Sequence, residues 1–237
     1  MQLPPLTQAR IVKRYKRFLA DVVLEDGRRL TAHCPNTGSM QGCWEEDAPV
    51  QLSHSDNPRR KLAWTLERVD MGQGWIGVHT GRTNPVVEEA VREGAIECLR
   101  GYRQIQREVT YAPAEFERAR FDLLLTEGER ADAWVEVKNV TLWRDEALAF
   151  PDAVTERGRK HLLLLSQACR EGFRGVMVYA LNRPEGGFFR PADEIDPVYG
   201  ETLRWAVAQG VEVVAVRIGH HAQSMRVIGE VPVKLAQ

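Results

Sequence analysis

No run in this 237-residue chain approaches the ~20 consecutive apolar residues that a membrane-spanning helix needs, so a helical membrane protein is excluded. The N-terminus, MQLPPLTQARIVKRYKRF, has basic residues but no hydrophobic signal core, and export is not expected. Cysteine is scarce: Cys34, Cys43, Cys98 and Cys169 are scattered, with no C-x-x-C pair and no His at zinc-ligand spacing. They read as reduced thiols of a cytoplasmic protein, not as a disulfide frame or a zinc site. The chain also lacks a Walker A loop, a dinucleotide fingerprint and a G-x-S-x-G elbow. Acidic residues are missing from one stretch: none precedes Asp21, whereas Arg10, Lys13, Arg14, Lys16 and Arg17 all do.

What is present is the composition of a globular protein, 43% hydrophobic and 27% charged, with length for a substantial core. The net charge of −1 hides an asymmetry: residues 1–82 hold 12 Lys and Arg against 9 Asp and Glu. The 10–17 cluster, with Arg59-Arg60-Lys61, is the footprint a polyphosphate would seek, although a solvated basic segment is the commoner explanation of a charge run.

From Phe18 to Thr80 the pattern is of short strands. Phe18–Glu25 and Arg28–Cys34 flank Asp26-Gly27, a strong hairpin signal. Val50–Ser53, Lys61–Val69 and Gly74–His79 follow, which together suggest a small closed β-barrel of the OB type. Trp44, Trp64 and Trp75 either fill that barrel or form a stacking platform for bases. The texture changes near Asn84-Pro85. Helical spacing over Val86–Leu99 puts Val87, Val91, Ala95 and Cys98 on one side. Strands follow at Ile105–Tyr111, around Asp122 and at Trp134–Val140, then an irregular segment at Ala149–Asp152. A helix over Val154–Gly172, whose Leu162–Leu165 run must be packed, leads to a strand at Arg174–Leu181, a helix at Val198–Gln209 and a strand at Val211–Ile218. The order α-β-β-β-α-β-α-β implies helices on a central mixed sheet. The expected organisation is an OB-like nucleic-acid-binding domain over 1–82 and an α/β domain over 83–237.

The chemistry concentrates in Trp134-Val135-Glu136-Val137-Lys138-Asn139-Val140. A strand alternates its faces, so Glu136 and Lys138 point one way and Val135 and Val137 the other. A hairpin with Phe121-Asp122-Leu123-Leu124-Leu125 brings Asp122 nearly opposite Glu136. Two such carboxylates repel unless a proton or cation lies between them, and a hard ion such as Mg²⁺ or Mn²⁺ takes their oxygens. Lys138 is then placed to orient a water or stabilise charge on a phosphate. The same Glu-x-Lys is also what an ion pair on a solvated strand face looks like. Asp…Glu-x-Lys is the signature of the PD-(D/E)XK nuclease fold. Among other polar residues, His220-His221 reads as an exposed pair, His33-Cys34 as part of a barrel loop, and Asn36–Ser39 as either a phosphate-contacting loop or a plain turn.

The chain closely resembles the sugar fermentation stimulation protein A (SfsA) family. The resemblance rests on HCPNTGSM at 33–40, SDNP at 55–58, KLAWTLE at 61–67, GWIGV at 74–78, VEVKNVTL at 135–142, FPDAVTERG at 150–158, Lys160-His161-Leu162 and PADEIDP at 191–197. It implies an OB-like N-terminal domain joined to a PD-(D/E)XK nuclease-like domain, non-specific DNA binding, and a connection to the regulation of sugar, notably maltose, metabolism. It places the catalytic and metal site on Asp122, Glu136 and Lys138. For the carboxylate of the first helix, the family pattern selects Glu89, whereas a helical wheel puts Glu88 nearer the buried border; Glu89 is taken as the third metal ligand. Pro85-Val86-Val87 here replaces a more polar helix start. Lys160 is a candidate second basic residue facing the site, with an exposed helix lysine as the alternative. The expected partner is nucleic acid, DNA without sequence specificity, with no membrane, and a homodimer is left open.

Overall fold

The computed structural model describes residues 1–114 and 116–236. The first sheet contains β1 (Leu6–Tyr15), β2 (Leu19–Leu24), β3 (Arg29–His33), β4 (Pro49–His54), β5 (Trp64–Asp70) and a short β6 (Trp75–Gly77). Its order is β3-β2-β1-β4-β5-β6, and a parallel bridge from His33 to Thr65 joins β3 to β5 and closes the barrel. This is the OB fold. Alternation along the strands sends Ala9, Ile11, Val22, Leu24, Val50, Leu52, Leu66 and Val69 inward. The β2–β3 turn falls on Asp26-Gly27, with Gly27 at a positive φ of 84° that a side chain would resist.

The strand β1 does not stand out in the sequence. Only Ala9 and Ile11 of its ten residues are buried, and the charged residues between and after them read as a solvated segment. The tryptophans serve packing. Trp44 and Trp64 lie against the barrel core, and the Arg68 guanidinium sits 5.0 Å from the Trp75 ring centroid.

The second domain runs α1 (Thr83–Arg92), β7 (Gln104–Tyr111), β8 (Ala119–Thr126), β9 (Ala133–Val140), β10 (Leu142–Arg144), β11 (Ala147–Phe150), α2 (Glu156–Arg170), β12 (Arg174–Leu181), β13 (Phe188–Pro191), α3 (Pro197–Ala208), β14 (Glu212–His220) and β15 (Met225–Val231). The main sheet is ordered β15-β14-β12-β9-β8-β7, parallel through β9, β12 and β14 and antiparallel at both edges. The helix α1 packs on one face, through Val86, Val87 and Val91 against Val135 and Val137. The helices α2 and α3 cover the other, through Leu162, Leu165 and Leu203 against Trp134, Met177 and Tyr179. This is the mixed-sheet PD-(D/E)XK nuclease-like fold.

Several elements depart from expectation. The helix α1 stops at Arg92 rather than Leu99, because Gly94 turns the chain at φ 69°. In the 162–165 run, Leu163 is exposed while the other three are buried, as a helix must turn one of four consecutive residues outward. Ala147–Phe150 is a strand, joined with β10 and β13 in a small second sheet, and β15 adds an edge to the main one. Residues 1–3 leave the barrel: Leu3 sits in the core beside α1 and donates its N–H to Gln223 O at 2.8 Å.

The two domains are locked by buried polar contacts. Arg68, 1% exposed, donates to the carbonyls of His221 and Ala222, both at 2.7 Å, and to Gln51 Oε1. Glu67 accepts from Arg82, which caps the start of α1, at 2.7 Å and from Ser53 at 2.6 Å. Gly77 donates its N–H to Asn182 O at 2.8 Å; a Cβ there would lie 2.4 Å from Asn182 Oδ1, so only glycine permits this approach.

His220 is part of this seam, not an exposed residue. Its Nε2 is hydrogen-bonded to Asn182 Oδ1 at 2.9 Å, and its Nδ1 is buried with no partner among the described residues. Burial, with Arg68 and His221 nearby, pushes its pKa down to about 4. An unfolded histidine titrates near 6.5, so below that pH the unfolded chain takes the proton first. The stability contributed by neutral His220 is therefore full above about pH 6.5 and declines as pH falls toward 4, by roughly 3 kcal/mol in all. Thermal melts across this window should show the loss, and His220→Gln should flatten the dependence; an unchanged slope in the variant would refute the assignment.

Candidate functional site

In β9, Trp134, Glu136 and Val140 face α2, while Val135 and Val137 face α1. The valines make a buried strand favourable, and that same burial carries Glu136 to 3% exposure. A lone carboxylate there would cost several kcal/mol. Two partners offset this: Lys138 Nζ lies 2.5 Å from Glu136 Oε1, and His161 Nδ1 of α2 is hydrogen-bonded to the same oxygen. Lys138 Nζ and His161 Nδ1 are 3.3 Å apart. Burial raises the Glu136 pKa, but the His161 hydrogen bond and the Lys138 charge outweigh it and the net shift is downward. The second oxygen, Glu136 Oε2, is buried and has no hydrogen-bond partner among the described residues.

Asp122 arrives from β8. The β8–β9 ladder runs Leu125↔Ala133, Leu124↔Trp134 and Leu123↔Val135, and the next step of that register sets 122 opposite 136. There the backbone pairing ends, and Asp122 occupies the gap. Its Oδ2 accepts the Val137 N–H at 2.7 Å, and its Oδ1 accepts from Asn84 of α1 at 2.6 Å. Burial raises its pKa to about 6, with the Glu136 charge as the next cause. The Glu136 charge thus opposes ionisation of Asp122, the condition under which a proton or cation at Asp122 is stabilising.

A cleft of about 330 Å³ opens beside Asp122, lined by Thr80, Gly81, Asn84, Pro85, Glu88, Arg107, Glu108 and Leu123. Asp122 lines this cleft and takes a bond from the backbone of β9, so it links open space to the Glu136–Lys138–His161 cluster. The α1 carboxylate at the cleft is Glu88, which corrects the choice of Glu89. Glu88 is 4% exposed and is held by Arg92 at 2.9 Å and by Arg107. Those two arginines outweigh its burial and lower its pKa. Glu89, one residue and 100° further round the helix, pairs instead with the Met1 ammonium near β15. Lys160 is likewise turned away, onto exposed Glu117 at 2.7 Å. Its neighbour His161 faces the site. The sequence signal for His161 was available: with Leu165 and Ala168 it follows the i, i+4, i+7 spacing of the buried face, where a polar side chain needs a partner.

The basic residues divide. Arg10 pairs with Asp47 at 3.1 Å and Lys13 with Asp21 at 3.5 Å, while Arg14 donates to the carbonyls of Arg17, Asn36 and Gly38. Arg60 donates to Thr65 at 2.6 Å. Lys16, Arg17, Arg59 and Lys61 are exposed, on the β1–β2 turn and the β4–β5 loop. Those two loops flank the ligand face of OB folds.

No three described His, Cys, Asp or Glu side chains converge as a complete metal cage. The residues nonetheless fit a hard divalent ion of the Mg²⁺ kind, which binds through one or two carboxylates and keeps water or phosphate oxygens in its remaining positions. Glu136 Oε2 is buried without a hydrogen-bond partner among the described residues, and the Glu136 charge is felt at Asp122, so the pair offers the oxygen donors such an ion takes.

An OB barrel set against a mixed-sheet domain that holds Asp122 and Glu136-x-Lys138 on neighbouring strands defines a two-domain protein of the nuclease-like class. The family domain described as SfsA N-terminal OB domain matches residues 12–78, and that described as sugar fermentation stimulation protein RE domain matches 81–224. The chain belongs to the sugar fermentation stimulation protein family. A sugar fermentation stimulation protein homolog of Magnetococcus marinus is 51% identical over 215 residues, covering 90% of each chain. One of Geobacter metallireducens is 51% identical over 236 residues, 99% of this chain and 100% of the other. Among solved structures, Pyrococcus furiosus SfsA in complex with Ca²⁺ superposes with a TM-score of 0.86 at 25% identity, covering 99% of this chain and 98% of that one. No helix of the described residues is long and apolar enough to cross a membrane.

Proposed function

We propose that the protein binds DNA without sequence specificity and hydrolyses its phosphodiester bonds with Mg²⁺ or Mn²⁺, within a reducing cytoplasm that suits its four free thiols. The observation that carries the reading is the bare Glu136 Oε2 beside an Asp122 whose carboxyl is pushed up to about 6. That the Pyrococcus furiosus relative was solved with Ca²⁺, another hard cation with oxygen ligands, supports it. Asp122 and Glu136 would hold the ion, with Glu88 across the cleft; the ion supplies Lewis-acid polarisation of a phosphate oxygen and a more acidic water. Val137 N–H and Asn84 fix the Asp122 carboxylate. His161 holds Glu136 Oε1, which leaves Oε2, without a hydrogen-bond partner among the described residues, as the oxygen that would hold the ion. Lys138 donates toward the attacking water or the charge that develops on phosphate. The test is labelled DNA and RNA with Mg²⁺, Mn²⁺ or EDTA, against Glu136→Ala.

A second reading, a DNA-binding regulator of sugar metabolism that keeps the architecture without using it, is favoured by one observation. Glu136 is paired with Lys138, and Glu88 with Arg92 and Arg107, so both carboxylates already have cationic partners. It expects no product from the wild type with any divalent ion.

Under either reading, binding should weaken with salt as phosphate contacts release counterions. Neutralising Lys16, Arg17, Arg59 and Lys61 together should reduce the magnitude of the log–log salt slope on duplex DNA by about 3 to 4. Neutralising Arg10 and Lys13, already paired with Asp47 and Asp21, should change it far less. Fluorescence anisotropy over a salt series checks both, and a slope indifferent to the first set would remove this footprint.

A further inference from the structure

Among the described residues, Phe18 is the one large apolar side chain of the barrel left exposed, with 47% of its surface open. It completes the β1–β2 turn after Lys16 and Arg17. Both basic residues are exposed, and both hold positive φ, 49° and 65°, where Asn or Gly is the usual choice. Unlike Arg10 and Lys13, neither forms an ion pair among the described residues.

This turn is held firmly. Arg14 donates to Arg17 O at 2.8 Å and to Asn36 O and Gly38 O at 2.9 Å, and Cys34 N donates to Phe18 O at 2.8 Å. The Asn36–Ser39 loop is pinned in turn to the second domain: Ser39 N and Oγ reach Asp152 Oδ2 at 2.9 and 3.0 Å. Gly38 allows this approach, since a Cβ there would stand 2.7 Å from the same oxygen. Thr80 donates to Pro35 O at 2.9 Å. Thr80 also lines two neighbouring openings, the crevice between Asn36, Asn139 and Asp152 and the cleft at Asp122. An unbroken chain of contacts therefore leads from Phe18 to the carboxylate site.

We propose that the β1–β2 turn is a landing site for single-stranded nucleic acid: Phe18 stacks a base, Lys16 and Arg17 hold the flanking phosphates, and the strand continues over the Asn36–Ser39 loop into the Asp122 cleft. The inference rests on the nucleic-acid reading above and narrows its substrate. A duplex keeps its base faces stacked inside and offers none to an exposed ring, whereas a single strand presents one at every nucleotide. Free cations beside a single ring, without surrounding apolar surface, suit a polyanion with aromatic faces better than an apolar protein partner.

The test measures EDTA-phase anisotropy of a short labelled oligothymidylate and of a duplex of the same length, with wild type, Phe18→Ala, Phe18→Trp and Lys16→Ala/Arg17→Ala. Phe18→Ala should weaken oligothymidylate binding by about tenfold, the scale of one lost base–aromatic stack, while leaving the duplex nearly unchanged. Phe18→Trp should restore the affinity, and the double variant should lower the magnitude of the single-strand salt slope by about 1.4. Phe18 is exposed, so unchanged melting temperatures exclude misfolding as the cause. Equal loss on both nucleic acids, or no loss on either, overturns the landing site and leaves the nuclease reading standing. A wild type that binds neither overturns both.

Discussion

Glu136→Ala should abolish metal-dependent cleavage of labelled DNA, a loss of at least roughly a thousandfold, while binding measured in EDTA stays within about twofold or tightens. The substitution removes Oε2, the buried carboxylate oxygen without a hydrogen-bond partner that would hold the ion. A thousandfold is about 4 kcal/mol of transition-state stabilisation, within the range supplied by one well-placed electrostatic group. Binding survives because the exposed cations lie on the barrel loops, and deleting an anion near phosphate removes repulsion. Lys138→Ala should separate the roles further. Metal uptake followed by calorimetry should persist, since no ligand oxygen is lost, but turnover should fall by about a hundredfold or more because the ammonium acts only on the developing charge. Wild type that yields no product with Mg²⁺ or Mn²⁺ on single- or double-stranded DNA or RNA, and site variants indistinguishable from it, would decide for the regulator.

The largest stability effect should come from Arg68→Ala. The guanidinium is 1% exposed and ties the barrel to the His221–Ala222 segment of the second domain through two carbonyls, with Gln51 as its third partner. Its Trp75 stacking is lost as well. Removing it leaves the buried Gln51 side chain and two part-buried carbonyls without their donor and opens a void between the domains, a cost of about 2–4 kcal/mol. In a chain of this size that corresponds to a fall in Tm of roughly 10 °C. Scanning calorimetry should also resolve two transitions where the wild type shows one, because the seam no longer couples the domains. A single transition at the wild-type Tm would show that Arg68 contributes little to the lock.

The misses in reading the sequence share one origin. Strand β1 shows two inward residues, Ala9 and Ile11, and the bases around them masked its alternation; the strand forms because β2 and β4 supply partners on both sides. Glu88 and Glu89 are adjacent; the helical wheel pointed to Glu88 and the family pattern to Glu89, and the family pattern was followed. Which one enters the cleft was fixed when Val86, Val87 and Val91 docked on β9 and Arg107 of β7 reached across. Lys160 and His161 repeat the ambiguity on α2: the lysine finds Glu117 at the surface and the histidine finds Glu136 inside.

The sequence by itself determined the two-domain order, the Asp26-Gly27 hairpin, most strands and helices of the mixed sheet, and the placing of Glu136 and Lys138 on one strand face with Asp122 on the next strand. These follow from periods of 2 and 3.6 residues and from turn chemistry, which act over a few neighbours. Only the tertiary structure decided between the helical wheel's Glu88 and the family pattern's Glu89 at the cleft, and decided that His161 completes the Glu136–Lys138 cluster, that Arg68 is buried and His220 half-buried in the domain seam, and that Phe18 rather than a tryptophan is the barrel's exposed ring. The first three depend on contacts between residues 19 to 154 positions apart, such as Arg107–Glu88 and Arg68–Ala222, which lie beyond the reach of a local period.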